Sequence, residues 1–253
     1  MLTAFVTGAS SGLGKAIAFR LAKNGYHLVL TGRRKELLEQ VAADIRHVFD
    51  VEILTLNFDI RDYEACKISI ESMPQKFANI HVLVNNAGLA AGAEPFQNSD
   101  LNHYEQMIDT NIKGLLYVTK LIVPGMIRQS AGHIINISSI AGVEVYPNGS
   151  VYCATKHAVN AITKGLRLDL LKHGIKVGSI SPGMVETEFS LVRYQGDAQK
   201  AKAVYAGIVP LEAEDIADIL EFMVTRPEHV SINDVQVNPK QQANTYLTNR
   251  ILN

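Results

Sequence analysis

The chain has 253 residues, 47% of them hydrophobic, enough to bury a sizeable core and suited to one large α/β domain. A formal net charge of −1 leaves no basic surplus that would point to nucleic acid or an anionic membrane as a partner. The two cysteines, Cys66 and Cys153, stand in no metal-ligand spacing, so no metal site is expected, and reduced thiols in a cytoplasmic protein are.

The N-terminal run Met1-Leu2-Thr3-Ala4-Phe5-Val6 lacks a charged leader and a long apolar stretch, so it reads as a strand and not as a signal peptide. No apolar run reaches the ~18 residues of a membrane span. Along the chain, a strand over 2–7 precedes a helix over 13–24, and a strand over 27–31 precedes a helix over 35–48. A strand over 52–57 and a helix over 63–73 follow, then a strand over 81–85 and a long helix over 103–128. The last units are strands at 133–138, 176–181 and 234–237, with helices at 150–172 and 214–226. Val82-Leu83-Val84 and Ile134-Ile135-Asn136-Ile137 are continuous apolar runs, as expected of strands buried on both faces of a parallel sheet. The alternation predicts a Rossmann-type doubly wound parallel sheet with helices on both faces and right-handed crossovers. No composition break divides the chain, so 1–253 is expected to form a single domain. The polar segment 189–209 reads as an excursion at the mouth of a site, because ligands bind beyond the carboxyl ends of such strands. The tail 238–253 has no strong pattern and reads as either an assembly arm or a frayed end.

Thr7-Gly8-Ala9-Ser10-Ser11-Gly12-Leu13-Gly14 sits between the first strand and the first helix, the context that makes a glycine motif credible. Gly8, Gly12 and Gly14 allow a tight turn, close approach to a pyrophosphate and close helix–strand packing. The helix N-terminus offers N–H groups to the phosphates, and the Ser10 and Ser11 hydroxyls add to them. In NAD sites an acidic residue about 20 positions on binds the ribose 2′-hydroxyl. Here the second strand ends in Thr31-Gly32-Arg33-Arg34. A guanidinium can bind a 2′-phosphate where a carboxylate would repel it, so Arg33 and Arg34 predict NADP.

Tyr152 and Lys156 stand at i and i+4 of a helix starting near Ser150, on one face. A free tyrosine ionises near 10, and a nearby ammonium favours the phenolate. Lowering that value to about 7 needs roughly 4 kcal/mol, to which the cationic ring of an oxidised nicotinamide also contributes. Ser139, at a strand end thirteen residues earlier, is placed to orient a substrate oxygen. Together with the glycine turn, these residues point to hydride transfer with Tyr152 as acid/base.

With these motifs in hand, the chain resembles the short-chain dehydrogenase/reductase family over nearly its whole length. Thr7–Gly14 matches that family's glycine turn, and the resemblance adds Leu13 to the cofactor contacts. Asn85-Asn86-Ala87-Gly88 matches its N-N-A-G strand end, placing Asn86, Ala87 and Gly88 on the adenine-ribose side. Asp59 and its neighbour Ile60 match the adenine position. Asn111 matches the asparagine that holds a relay water, completing a tetrad with Ser139, Tyr152 and Lys156, the last two also touching cofactor. Pro182 and Gly183, with Val185 and Thr187, match the segment that clasps the nicotinamide amide.

Less common segments narrow the resemblance. Gly183-Met184-Val185-Glu186-Thr187-Glu188-Phe189-Ser190 with Val192-Arg193, and His229-Val230-Ser231-Ile232-Asn233, are similar to the NADP-dependent 3-hydroxy acid dehydrogenase subgroup. That resemblance implies oxidation of serine, L-allo-threonine or 3-hydroxypropionate, reduction of malonic semialdehyde, and a homotetramer. Arg193 is the candidate for a substrate carboxylate, with a solvated loop arginine as the equal alternative. Glu144 and Tyr146 either line the pocket or pack at the surface. A reductase of carrier-bound 3-oxoacyl groups and a non-catalytic NADP-binding redox sensor are the rival readings. The helices over 103–128 and 150–172 carry apolar residues on more than one face, which fits an oligomer.

Overall fold

The computed structural model describes residues 2–251. The apolar runs pair into a seven-stranded sheet, and every adjacent pair in it is parallel. β1 (Thr3–Val6), α1 (Gly12–Lys23), β2 (His27–Gly32), α2 (Lys35–Val48), β3 (Ile53–Asn57) and α3 (Tyr63–Glu71) form the first half. After β4 (Val82–Asn85) come α4 (Leu101–Ile108), α5 (Leu115–Gln129), β5 (Gly132–Ile137), α6 (Ser150–Leu170) and β6 (Ile175–Pro182). The chain then forms α7 (Glu188–Arg193), α8 (Ala198–Ala203), α9 (Ala213–Val224) and the edge strand β7 (Asp234–Val237). Strand order is β3-β2-β1-β4-β5-β6-β7. It reverses beside β1, whose Val6 is in register with Leu30 on one side and Val84 on the other. The crevice at that reversal is where such sheets bind ligands.

Successive side chains of a strand point to opposite faces, so the apolar runs feed two cores. Val6, Leu30, Val84, Ile135 and Ile180 pack against α1, α2 and α9 through Ile17, Leu21, Leu38, Ile45, Ile216 and Leu220. Phe5, Val29, Leu83, Ile134 and Val177 pack on the other face against Cys66, Ile70, Val118, Ile122 and Met126. Burying both faces explains why the strands read as continuous apolar runs.

Three regions differ from the sequence expectation. The helix expected over 103–128 starts at Leu101, where the Asp100 carboxylate accepts the Asn102 N–H at 2.8 Å. It is then interrupted by a π-helical turn, Asp109–Gly114, that buries Thr110 and Asn111. An extra residue in a helical turn leaves the apolar pattern on either side nearly intact, so periodicity does not reveal it. The excursion 189–209 contains α7 and α8, each entered through a side-chain cap, Thr187 and Asp197. The tail is not frayed through residue 251. It folds back through a bridge between Gln242 and Thr248 and bonds to three other segments. The remaining ends of the expected 1–253 domain and 238–253 tail, residues 1, 252 and 253, lie outside the described residues.

Candidate active site

The glycine turn is locked to the end of β4. Thr7 Oγ1 accepts the N–H groups of Asn86 (3.0 Å) and Ala87 (2.9 Å). Asn86 Nδ2 donates to the carbonyls of Thr7 (2.9 Å) and Gly8 (3.1 Å). Gly8 has φ +66°, and a Cβ at Gly14 would strike the Gly8 carbonyl oxygen. No side chain caps α1, whose N-cap is Ser11, so its first N–H groups stay available to an anion. A pyrophosphate fits this cradle of backbone donors.

At the far rim stand the two arginines. Arg34 donates to Ser11 Oγ (2.6 Å) and Ser10 Oγ (3.3 Å) through one nitrogen and to Glu188 (2.9 Å) through another. That contact holds the Glu188 carboxyl below the usual carboxylate range. Arg33 lies 3.9 Å from Asp59. Asp59 is engaged mainly by Arg61, whose guanidinium grips both carboxylate oxygens. Burial works against the Asp59 charge, yet Arg61 and Arg33 keep its carboxyl below the ordinary range. Both arginine side chains are about half exposed (55% and 46%), so a 2′-phosphate can reach them.

At the inner end, α6 presents Tyr152 and Lys156, only 8% and 5% exposed. The Lys156 Nζ lies 5.9 Å from the Tyr152 ring centroid and donates to the Ile137 carbonyl at 3.0 Å. Ser139 follows β5 and caps a short turn by accepting the Ala141 N–H at 3.1 Å. Burial pushes the Tyr152 phenol above the ordinary tyrosine value, against opposing effects of the Ser139 hydroxyl and Arg193. Burial also pulls Lys156 down to about 8. In the chain alone, then, Lys156 does not bring the tyrosine toward neutrality. Burial is the leading cause of both displacements.

Asn111 stands in the π-helical turn with its side chain fully engaged. Its Nδ2 donates to the Leu89 carbonyl (2.9 Å) and Thr155 Oγ1 (3.0 Å), and its Oδ1 accepts the Leu89 N–H (2.9 Å). A Cβ at Gly88 would lie 3.2 Å from Asn111 Oδ1 and 3.5 Å from Lys156 Nζ, so both residues crowd the space that the glycine leaves open.

The cleft, about 360 Å³, is lined by every residue proposed from sequence for the cofactor except Gly14, which lies beneath the turn. Ser139 lines it as well, whereas Asn111 and Arg193 do not. Arg193 instead donates to the Gly92 carbonyl (3.1 Å) and the Tyr146 hydroxyl (3.2 Å) and stacks over the Tyr146 ring. Tyr146 and Arg193 therefore form one unit beside the cleft, close enough for each to influence the Tyr152 proton. Glu144 faces elsewhere. Its carboxylate accepts the N–H and hydroxyl of Thr245 at 3.2 and 3.3 Å, and it does not line the cleft. The wall near Tyr152 is made by residues the sequence reading did not assign a site role: Leu89, Phe189 and Val192. The Phe189 ring lies 5.8 Å from that of Tyr152. Glu188, also missed, had one local signal: an acidic residue in the first turn of a helix beside the cofactor segment.

A family model described as short chain dehydrogenase matches residues 2–197. The chain is 44% identical over 239 residues to sulfoacetaldehyde reductase 2 of Chromohalobacter salexigens, covering 94% of each protein. It is 42% identical over 241 residues to an NADP-dependent 3-hydroxy acid dehydrogenase of Schizosaccharomyces pombe, covering 95% of this chain and 93% of that one. Among solved structures, the closed form of a serine dehydrogenase complexed with NADP+ matches with a TM-score of 0.92 at 39% identity, over 99% of this chain and 100% of the other.

Proposed function

We propose, on the premise that this chain belongs to the short-chain dehydrogenase/reductase family, that it moves a hydride between NADP(H) and the 3-hydroxyl or 3-oxo carbon of a short 3-hydroxy acid. It is an oxidoreductase of that family. One observation carries the proposal: a single cleft joins a glycine cradle, a rim with two arginines and an inner end with Ser139, Tyr152 and Lys156. The names of the 3-hydroxy acid and serine dehydrogenase relatives support the substrate class.

When bound, NADP supplies the hydride acceptor and a positive charge that favours a phenolate. Tyr152 takes the hydroxyl proton as the C3–H bond breaks, and Ser139 holds the substrate oxygen. Lys156 stabilises the phenolate and, through a water held at Asn111, passes the proton toward solvent. The carboxylate is met by Arg193, oriented by Tyr146. Arg193 Nη2 has no hydrogen-bond partner among the described residues, which leaves it a free donor. Serine, L-allo-threonine and 3-hydroxypropionate are the alcohols proposed, and malonic semialdehyde the aldehyde. The 44% identical relative favours a second reading, sulfoacetaldehyde. It differs from malonic semialdehyde only in carrying a sulfonate for the carboxylate, and a guanidinium binds either anion.

The same reading makes the chain a single NADP-binding and catalytic domain, with 189–209 over the substrate, working as a cytoplasmic homotetramer. Exposed Leu168 and Leu171, at the end of α6, support self-association. Among the described residues no helix is long and apolar enough to cross a membrane.

The test is NADP-dependent oxidation of the three alcohols and NADPH-dependent reduction of the two aldehydes, followed at the nicotinamide absorbance, with NAD(H) in parallel. Turnover confined to the aldehydes, best with the sulfonate, selects the second reading. Tight NADPH binding without turnover on any of the five rejects both and returns the carrier-bound ketone or the redox sensor.

A further inference from the structure

The tail was expected to be an assembly arm or a frayed end, yet it carries one of the few buried amide side chains near the cleft. Gln242 is 5% exposed. Its Oε1 accepts the Met184 N–H at 2.8 Å and its Nε2 donates to the Asn244 carbonyl at 3.1 Å. Met184 stands in the segment whose Pro182, Gly183, Val185 and Thr187 line the cleft. On either side of it the backbone is held by regular bonds: Gly183 N–H to the Val237 carbonyl (2.7 Å) and Glu186 N–H to the Leu211 carbonyl (2.9 Å). The Met184 N–H between them is satisfied by a side chain 58 residues further along. Fit is tight, since a Cβ at Gly183 would strike Gln242 Oε1.

The rest of the tail anchors that amide. Thr245 bonds the Glu144 carboxylate. Arg250 donates to the carbonyls of Ala206 (2.6 Å) and Val204 (3.0 Å), and Gln241 Oε1 accepts the Val209 N–H at 2.8 Å. The tail thereby spans three loops: the one after Ser139, the one after β6, and the end of the excursion containing α7 and α8.

We infer that Gln242 is a positioning residue for the inner end of the cleft, fixing the backbone from Gly183 to Val185 and thus the seat of the cofactor's nicotinamide half. The inference rests on the NADP reading above. A buried N–H that loses its acceptor is left with an unmet desolvation cost and relaxes by moving. Movement here displaces the inner wall and leaves the glycine turn, Arg33 and Arg34 where they are.

The experiment compares wild type with Gln242→Met, a side chain of similar length with neither donor nor acceptor. NADPH affinity is read by nicotinamide fluorescence, and affinity for 2′,5′-ADP, which has only the adenine half, by calorimetry. KM and kcat are measured on whichever substrate wild type turns over. The expected result is a loss of about tenfold or more in NADPH affinity, the ratio that ~1.4 kcal/mol represents, with 2′,5′-ADP binding unchanged and kcat lowered. Equal losses for both ligands reduce Gln242 to a structural role, and unchanged NADPH binding and kcat also overturn the inference. If Gln242→Met does not fold, Thr245→Val cuts the far anchor without touching Met184. A smaller loss selective for NADPH supports the inference, and no selective loss overturns it. Failure of wild type itself to bind 2′,5′-ADP would instead sink the NADP reading.

Discussion

The two ends of the cleft handle charge in opposite ways. At the rim, Arg33 and Arg34 are half exposed, each within reach of a carboxylate, Asp59 and Glu188. At the inner end, Tyr152 and Lys156 are nearly dry, and Lys156 bonds a carbonyl instead of an anion. Pairing near water contributes little net energy and is exchanged readily, so an incoming phosphate can take over donors that Glu188 now holds. Burial penalises every charged form, so the inner groups have displaced pKa values and respond strongly to charge brought beside them. In the proposed reaction, recognition belongs to the first environment and proton transfer to the second.

The largest effect is expected from Tyr152→Phe, which removes the proton-transfer group but little volume. Turnover should fall by about 10²–10⁴ while NADPH affinity is retained. Near-normal turnover would show that the inner end does not use the phenol. Arg34→Met tests the rim: NADP preference over NAD should fall about 10- to 100-fold, the value of one or two charge-assisted hydrogen bonds. The effect should shrink as salt rises, and equal loss with both cofactors would mean that Arg34 merely braces Ser10 and Ser11. Arg193→Met should raise the KM for an anionic substrate by roughly tenfold with a smaller change in kcat. An unchanged KM would confine Arg193 to holding Gly92 and Tyr146.

The smallest effect is on stability, and its sign follows from burial. The folded Lys156 pKa lies near 8, below the unfolded value of about 10.4. Between these values the unfolded chain binds more protons, so stability rises with pH across that window. Tyr152 is displaced upward, so above about pH 10 the unfolded chain ionises first and stability falls. The urea midpoint of wild type should therefore rise from pH 7.5 to 9.5 relative to that of Lys156→Met. Parallel midpoints would show that Lys156 is not held in a desolvated site.

Residues made recognisable by local backbone demands were legible in the sequence. Gly8 and Gly14 answer to a turn within one βα unit, Tyr152 and Lys156 to a spacing of four on one helix, and Arg33 and Arg34 to a strand end where an acid is missing. The seven strands were legible because burial on both faces leaves continuous apolar runs. Asn111 was placed only by resemblance, since its π-helical turn is hidden in an apparently unbroken helical period. For Glu144 the choice between pocket and surface stayed open in the sequence, because its partner, Thr245, is 101 residues away.

The sequence by itself thus determined the seven strands, the glycine turn and the shared face of Tyr152 and Lys156, because each depends on residues a few positions apart or on a pattern repeated along one element. Only the tertiary structure decided how the inner wall is held. The Arg193–Tyr146 unit, the Glu188–Arg34 contact and the Gln242–Met184 bond join residues 47, 154 and 58 positions apart. Such pairs form when separately folded segments dock. Docking is set by the summed burial of the elements beneath them, which no local pattern in the chain records.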